Sequence, residues 1–405
     1  MKNSKKVIWI INQYAGSPKH GMTFRTYYFA KEFIKSHEVQ IFSASYTHVM
    51  SCPPDISKSS SQIIDGISYN WIKVFKYSKS NSIFRVISMF LFMLKMFFVS
   101  TKNMRKPDVI IVSSISPLPI FKAFFWAKKF NSKLIFEVRD IWPLSLIELG
   151  GFKKFNPFVI VLQLTENFAY KVSDYVVSLL PDAFKHMQKH GLTEDRFKYI
   201  PNGIDLNMNQ ANVSENIASL IPKDKFIVAY TGAVGIANSL ITFAEAANKM
   251  KKNKEILFVI VGNGSEKEKI EVYKTEKSLT NLLLLDPIPK ECIIPFLKNY
   301  VDVCYIGLQK QSLFRFGISP NKIFDYLFSQ TPIIQSVDAS NDIVSESKSG
   351  LSVEAENASQ VVEAIEKLFN MTESERKIMG QNGLEYVTQN HSYQKLAHNY
   401  ESLFV

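Results

Sequence analysis

Short all-apolar runs recur along this chain, with helical patterns between them. "VIWII" begins at Val7, "VIIV" at Val109, "FIVAY" at Phe226, "ILFVIV" at Ile256 and "VCYI" at Val303. A strand wetted on one face alternates apolar and polar residues; an unbroken apolar run needs cover on both faces. Sheets covered on both faces are parallel sheets with helical crossovers, so the rhythm predicts an α/β chain. Strands are expected over 7–13, 38–43, 69–75, 108–113, 133–138, 174–178 and 197–200. Helices are expected over 22–35, 83–100, 119–131, 156–171 and 181–190. The second half repeats the rhythm, with strands over 226–230, 256–261, 282–285, 303–306, 332–335 and 351–353. Its helices are expected over 239–251, 265–274, 293–299, 320–329 and 358–369. At 405 residues the chain exceeds one ordinary core. Pro201-Asn202-Gly203 and the polar stretch after it mark a hinge. Two doubly wound domains facing across a cleft are therefore expected, over 1–200 and 201–385.

Charge separates the halves. Residues 1–200 carry a net +15 and residues 201–405 a net −4. Between Asp65 and Glu137 the only acid is Asp108, among twelve basic residues. This asymmetry implies an anionic partner for the first half. The same interval holds "SIFRVISMFLFMLKMFFVS" over 82–100, apolar nearly all round, with Arg85 and Lys95 interrupting. It falls short of the clean apolar length of a spanning helix, about 20 residues. Two readings stay open: a greasy helix packed on the sheet, or an interfacial helix on an anionic membrane surface. Nucleic acid is not expected, because the segment's aromatics are Phe and polar interleaving is missing. The run Val7–Ile11 is too short for a signal peptide and reads as a first buried strand. Cys52, Cys292 and Cys304 form no pairing pattern and point to a reducing compartment.

Ligands of doubly wound sheets bind beyond the carboxyl ends of strands. "FGISPNKIFDYLFSQTPII" (316–334) is one such place. Ser319 is expected as N-cap and Pro320 as first helical residue. The free N–H groups and dipole of that helix end favour an anion, and Lys322 adds a full charge. Asp325, three residues on, repels phosphate but suits a diol such as ribose. Phosphate and ribose together mean a nucleotide; the bland alternative is a capped surface helix with a Lys–Asp pair. Gly232 and Gly235 in "TGAVGIANS" form a strand-to-helix turn whose N–H groups can approach a diphosphate. Gly262 opens a second Gly-Asn-Gly turn.

"YIPNGIDL", "YTGAVGIANSLITFAEAA", "FVIVGNGSEKEKI" and "SPNKIFDYLFSQTPII" follow in this order. The order resembles that of family 4 glycosyltransferases, retaining enzymes of GT-B fold that use nucleotide sugars. "FEVRDIWPLSLIELG" and "ENFAYKVSDYVVSLLPD" look like a bacterial subgroup that builds O-antigen and capsule, nearest to N-acetyl-L-fucosamine transferases. The resemblance implies a UDP-sugar co-substrate, no cofactor and no metal. It places Asp325 on the ribose hydroxyls, and the family's first acid falls on Gly317. The sugar hydroxyls are then expected to meet backbone N–H groups of Gly317, Ile318 and Ser319, with Asn321 and Ile288 completing the donor site. Lys322, with Arg315 as second choice, replaces the family's usual diphosphate cations. Arg139 and Asp140 occupy the strand end where many members have His, and are the candidate catalytic pair beside Lys322. Gly16, His20, Gly21 and Arg25 are expected to meet the phosphates of a polyprenyl-diphosphate-linked acceptor. The resemblance also implies a peripheral location on the cytoplasmic face of the bacterial inner membrane. Its last implication is a terminal segment, 386–405, crossing back to the first domain. Two rival activities remain at this stage, a GT-B sugar-nucleotide epimerase and a non-catalytic anionic-lipid-binding protein.

Overall fold

The computed structural model of the protein describes residues 5–21, 25–57, 59–77 and 82–405. The chain forms two compact units. One runs to Asn202 and resumes at Tyr393; the other spans Gly203–Ser392. The segment expected to cross back from 386 thus joins the first unit at Tyr393.

The first unit holds β1 Val7–Ile11, β2 Glu38–Ala44, β3 Ser61–Ile64, β4 Ile67–Ile72, β5 Val109–Ser114, β6 Lys133–Val138, β7 Tyr175–Ser178 and β8 Phe197–Tyr199. Their order is β3-β4-β2-β1-β5-β6-β7-β8, and only the β3–β4 pairing is antiparallel. β1 stops short of the expected 7–13 because Tyr14 N–H turns back onto Asn12 Oδ1 at 2.9 Å. Of the helix expected over 22–35, residues 25–33 are helical and 22–24 lie outside the described residues. The helix expected over 181–190 is a short α turn, Phe184–Met187, and a 3-10 turn, Gln188–His190, closed by Gly191 at φ 91°.

The second unit holds β9 Phe226–Thr231, β10 Ile256–Val261, β11 Leu282–Leu285, β12 Val303–Gly307, β13 Ile333–Ser336 and β14 Gly350–Val353. They form one parallel sheet ordered β11-β10-β9-β12-β13-β14. Ile227, Ala229, Leu257 and Val259 enter the core on one face. Phe226, Val228, Tyr230, Phe258 and Ile260 enter the core on the other. The period of two thus fills both sides, as unbroken apolar runs require. An aspartate preceding a strand recurs as a register lock. Asp108, Asp174 and Asp302 accept from the N–H of Val7, Leu134 and Ile227 on the neighbouring strand at 2.7, 2.7 and 2.8 Å.

The helix Asn321–Phe328, which carries Lys322 and Asp325, is fixed from two sides. Tyr326 Oη accepts from Thr231 N–H at 2.9 Å at the end of β9. Behind it lies the helix Glu373–Asn390, where a Cβ on Gly380 would stand 1.9 Å from Gln330 O. Gly380→Val is expected to force these elements apart and to cost about 2 kcal/mol or more. A thermal unfolding midpoint equal to the parent's would contradict that close approach.

Candidate active site

The helix starts one residue later than its sequence suggests. Pro320 is the N-cap, with ψ 130°, and no side chain caps the end, so Ser319 lies outside the helix. Ser319 and Asn321 flank that proline, Asn321 exposed at the first helical position. In the first turn Ile323 N–H donates to Pro320 O at 3.2 Å, and the helix geometry supplies no i−4 acceptor for the N–H groups of Asn321 and Lys322.

Lys322 folds back from this helix under the β9 turn. Its Nζ lies 3.9 Å from the centroid of the Tyr230 ring, hydrogen-bonds Tyr230 Oη, and donates to Asn238 Oδ1 at 3.1 Å. Tyr230 Oη in turn donates to Ala233 O at 2.7 Å, and Asn238 Nδ2 donates to the same carbonyl at 3.1 Å. Gly232, at φ 133°, covers the amine; a Cβ there would stand 3.2 Å from Nζ. Burial pulls the Lys322 amine down to about 7, with Asp325 opposing. This is a cation poor in counter-charge and held in place, the condition in which an arriving anion gains most.

Asp325 lies one turn on, buried, and forms an ion pair with Lys290, which is 42% exposed. Lys290 opens the helix Lys290–Tyr300 just after Ile288. Ile288 itself is buried in the core. Sequence reasoning did not name Tyr230, Asn238, Lys290 or Asn341. "GIANS" held a signal for Asn238, a polar residue one turn beyond a glycine; Lys290 gave none.

Several expected donor contacts are corrected. The N–H groups of Gly317 and Ile318 are already used, donating to Phe314 O at 2.9 Å and Asn341 Oδ1 at 2.8 Å. Asn341 Nδ2 returns a bond to Ile318 O at 3.0 Å, so one side chain clamps this loop. Gly317 adopts φ 96°, which a side chain would strain. The Gly232 and Gly262 N–H groups continue the sheet, donating to Val261 O at 2.9 Å and Leu285 O at 3.1 Å. The glycines serve close packing: a Cβ on Gly262 would stand 1.9 Å from Gly232 O. Gly235 caps the 3-10 turn Ile236–Asn238, and a Cβ there would meet Asn238 Nδ2 at an ordinary 3.9 Å. Arg315 is exposed and lies along its own turn, 4.4 Å over the Phe316 ring, donating to Ser312 O at 2.6 Å.

In the first unit, Arg25 is a structural tie and not the acceptor contact expected of it. Its side chain is buried against Glu137 at 2.9 Å and donates to Ile200 O at 2.8 Å and to Pro201 O. Glu137 also accepts from Ser113 Oγ at 2.7 Å and Tyr400 Oη at 3.3 Å. Burial raises the Glu137 carboxyl, but Arg25 and Ser113 outweigh it and hold the group below its usual range. His20 is likewise turned inward, its Nδ1 2.9 Å from Ser17 Oγ and its ring 5.0 Å from Trp71. Burial and Lys19 lower its pKa, which keeps it neutral. Gly16 is buried and its carbonyl accepts from Tyr69 Oη at 3.0 Å; Gly21, at φ 113°, leaves no room for a side chain beside Ser51. Asp140 remains exposed at the end of β6. Arg139 Nη1 beside it is buried with no hydrogen-bond partner among the described residues. Among the described residues Glu166, His186 and His190 bring possible metal-ligand atoms within 4.8 Å of one another, a cluster the sequence spacing hid. Tyr170 Oη at 2.7 Å and Gln163 Nε2 at 2.7 Å bond Glu166, and Asn167 at 3.0 Å bonds His190, so these residues act as a polar knot between helices.

Residues 20–208 match the family described as "Glycosyltransferase Family 4", and residues 214–386 match "Glycosyl transferases group 1". Each of the two domains thus matches a glycosyltransferase family model. A curated relative, the provisionally named colanic acid biosynthesis glycosyl transferase WcaI of Escherichia coli (strain K12), is 22% identical over 231 residues. That match covers 55% of each chain, so it spans about half the relative's length. Among solved structures, sucrose-phosphate synthase of Thermosynechococcus elongatus superposes with a TM-score of 0.75 at 15% identity, over 99% of this chain and 98% of that one. HepE of Anabaena, solved with UDP and glucose, gives 0.67 at 12% identity, over 98% of each. Such neighbours establish the GT-B fold for the whole chain.

Arg25→Ala would leave Glu137 buried without its partner and is expected to cost about 3–5 kcal/mol of stability. Urea denaturation reads this directly, and an unchanged midpoint would show that Arg25 is not the tie.

Proposed function

We propose that the protein is a retaining glycosyltransferase. It moves an N-acetylamino sugar from a UDP-sugar to a polyprenyl-diphosphate-linked saccharide, in capsule or O-antigen synthesis at the cytoplasmic face of the inner membrane. The observation that carries the donor half of this reading is the buried Lys322 amine, set one helical turn from Asp325 and roofed by Gly232. The UDP found in HepE supports the choice of nucleotide.

In this reading the donor diphosphate takes Lys322 as its counter-charge. Asp325 accepts from the ribose hydroxyls, and Lys290 swings from Asp325 toward the phosphates. As the bond from the sugar's anomeric carbon to the phosphate oxygen breaks, negative charge grows on the leaving UDP and Lys322 stabilises it. The acceptor hydroxyl bonds to the same face of that carbon and gives its proton to the leaving phosphate oxygen. No strong protein base is needed. Asp140 orients the acceptor hydroxyl and Arg139 offers its unpartnered Nη1 to acceptor phosphate. Protein side chains thus supply the charge that a metal would otherwise provide.

Two measurements test the reading. The Lys322 amine has a depressed pKa, so at pH 9 the free site is mostly neutral, whereas bound diphosphate favours the charged form. UDP binding should therefore take up a proton, and affinity should fall as pH rises from 7 to 9, by up to about tenfold per unit. UDP's own phosphate, with a second ionisation near about 6, adds nothing in that window. Lys322→Met should weaken binding and flatten the slope, and Asp325→Ala should weaken it about tenfold and move the fall in affinity to lower pH, because Asp325 holds the amine up. A slope that survives Lys322→Met in calorimetry would remove the amine from the donor site. For the reaction, purified protein given UDP-N-acetylamino sugars and a short-chain polyprenyl-diphosphate saccharide should yield a product with the donor's anomeric configuration in proton NMR. An inverted signal, or interconversion of two UDP-sugars without acceptor, would replace the proposal with another activity.

A further inference from the structure

Among the described residues no helix is long and apolar enough to cross a membrane, yet the first unit exposes large apolar side chains on neighbouring helices. The helix Ile83–Phe97 buries only Ser88, Met89, Phe92 and Met96. Phe84 is 57% exposed, Leu94 53% and Phe98 87%. A second exposed set, which sequence reasoning did not single out, follows β6. It comprises Leu149, Phe152 and Phe155 in the turn "LGGFKKFNP", then Ile160, Val161 and Leu164 on the helix Pro157–Val172. Phe155 is 89% exposed, and Lys153 and Lys154 beside it are exposed too. A shallow groove here is lined by Gly150, Gly151, Phe152, Lys153, Phe155 and Asn156. The two helices touch: Phe90 of the first and Phe158 of the second, both partly buried, have ring centroids 6.2 Å apart.

From this we infer that the turn Leu149–Phe155 is a membrane-insertion element of an anionic phospholipid surface, acting beside the helix Ile83–Phe97. The inference rests on the membrane location proposed above and adds a second anchor to it. An exposed phenylalanine finger with paired lysines at its base matches the layering of a bilayer edge. The rings enter the acyl boundary and the ammonium groups stay at phosphate depth. Charge complementarity selects the occupant: the first half carries the whole excess of positive charge, and each lysine near an anionic surface adds attraction. A second protein copy would have to place this positive face against itself. Gly150 and Gly151 shape the turn; a Cβ on Gly150 would meet Leu146 O at 2.6 Å, and Gly151 sits at φ 67° with open space around it.

The test introduces Phe155→Trp and reads the variant's indole emission against the parent's. With phosphatidylglycerol vesicles, Phe155→Trp should add a blue-shifted component that lipids brominated high on the acyl chain quench; pure phosphatidylcholine should give little of either. Phe152→Ser with Phe155→Ser should cut co-sedimentation with anionic vesicles by roughly tenfold while the melting temperature and UDP binding stay at parental values. Lys153→Glu with Lys154→Glu should remove the preference for anionic over neutral vesicles. If the protein sediments with vesicles while the added emission of Phe155→Trp stays unshifted and unquenched, the inference is overturned and the helix Ile83–Phe97 is left as the anchor. Failure to sediment at all would overturn it as well, leaving transfer to a short-chain acceptor as a separate question. A lipid-free dimer in sedimentation velocity, abolished by Phe155→Ser, would instead assign the turn to a second copy of this chain.

Discussion

Strands covered on both faces have no wet side, and that constraint governs where chemistry can occur in this molecule. β9, β10 and β12 are buried through their whole length, so their side chains serve the core. Polar work is left to the turns after the strands and to the helix ends that meet them. Lys322 reaches its position because Tyr326, one turn on, bonds the backbone of Thr231 at the last residue of β9. The anchor and the cation belong to one helix, so the register that seats Tyr326 also sets the amine under Gly232.

Two buried cations divide structure from chemistry. Arg25 is surrounded by acceptors: a carboxylate and the carbonyls of Ile200 and Pro201. Its charge is compensated in the resting fold, so a ligand arriving there would have to compete with bonds already made. Among the described residues Lys322 hydrogen-bonds the hydroxyl of Tyr230 and an amide oxygen and lies over the Tyr230 ring, with Asp325 held by Lys290. Burial outweighs these partners and pulls the amine down. An under-compensated charge is costly to keep and responsive to what binds, which is why the proposed donor site centres on Lys322.

Much of the fold was legible in the sequence, because unbroken apolar runs leave few alternatives to covered parallel sheets. β3 was missed even though Asp65-Gly66 marks its hairpin. Both residues adopt positive φ, 49° and 81°, as a two-residue turn requires. The strand is four residues long, its first residue and Ile63 exposed, too weak for a periodicity argument. In the site, Lys322 and Asp325 were legible as a pair three apart at a helix start. Glycine roles were not. A glycine before a helix reads equally as a donor of N–H to an anion or as room for a neighbour, and both N–H groups prove to continue the sheet, Gly262 lying against the Gly232 backbone and Gly232 against the Lys322 side chain. Arg25 and His20 misled for a related reason: one-dimensional spacing places them in the first loop region but cannot show that Glu137, 112 residues on, turns Arg25 inward.

The apolar helix over 83–100 allowed two readings; the structure shows that one face packs into the core, and the interfacial role stands as a proposal. Met89 packs with Tyr14, Leu118 and Leu162, and Phe92 and Met96 are fully buried too, so the helix is part of the core. The opposite face is equally apolar, which packing on the sheet does not explain. A helix needs only a stripe of apolar residues to dock on its own sheet. The surplus on Phe84, Leu94 and Phe98 has a destabilising exposure in water unless another phase receives it. Lysines around this surplus are the groups that the proposed membrane surface, apolar within and anionic at its edge, would meet.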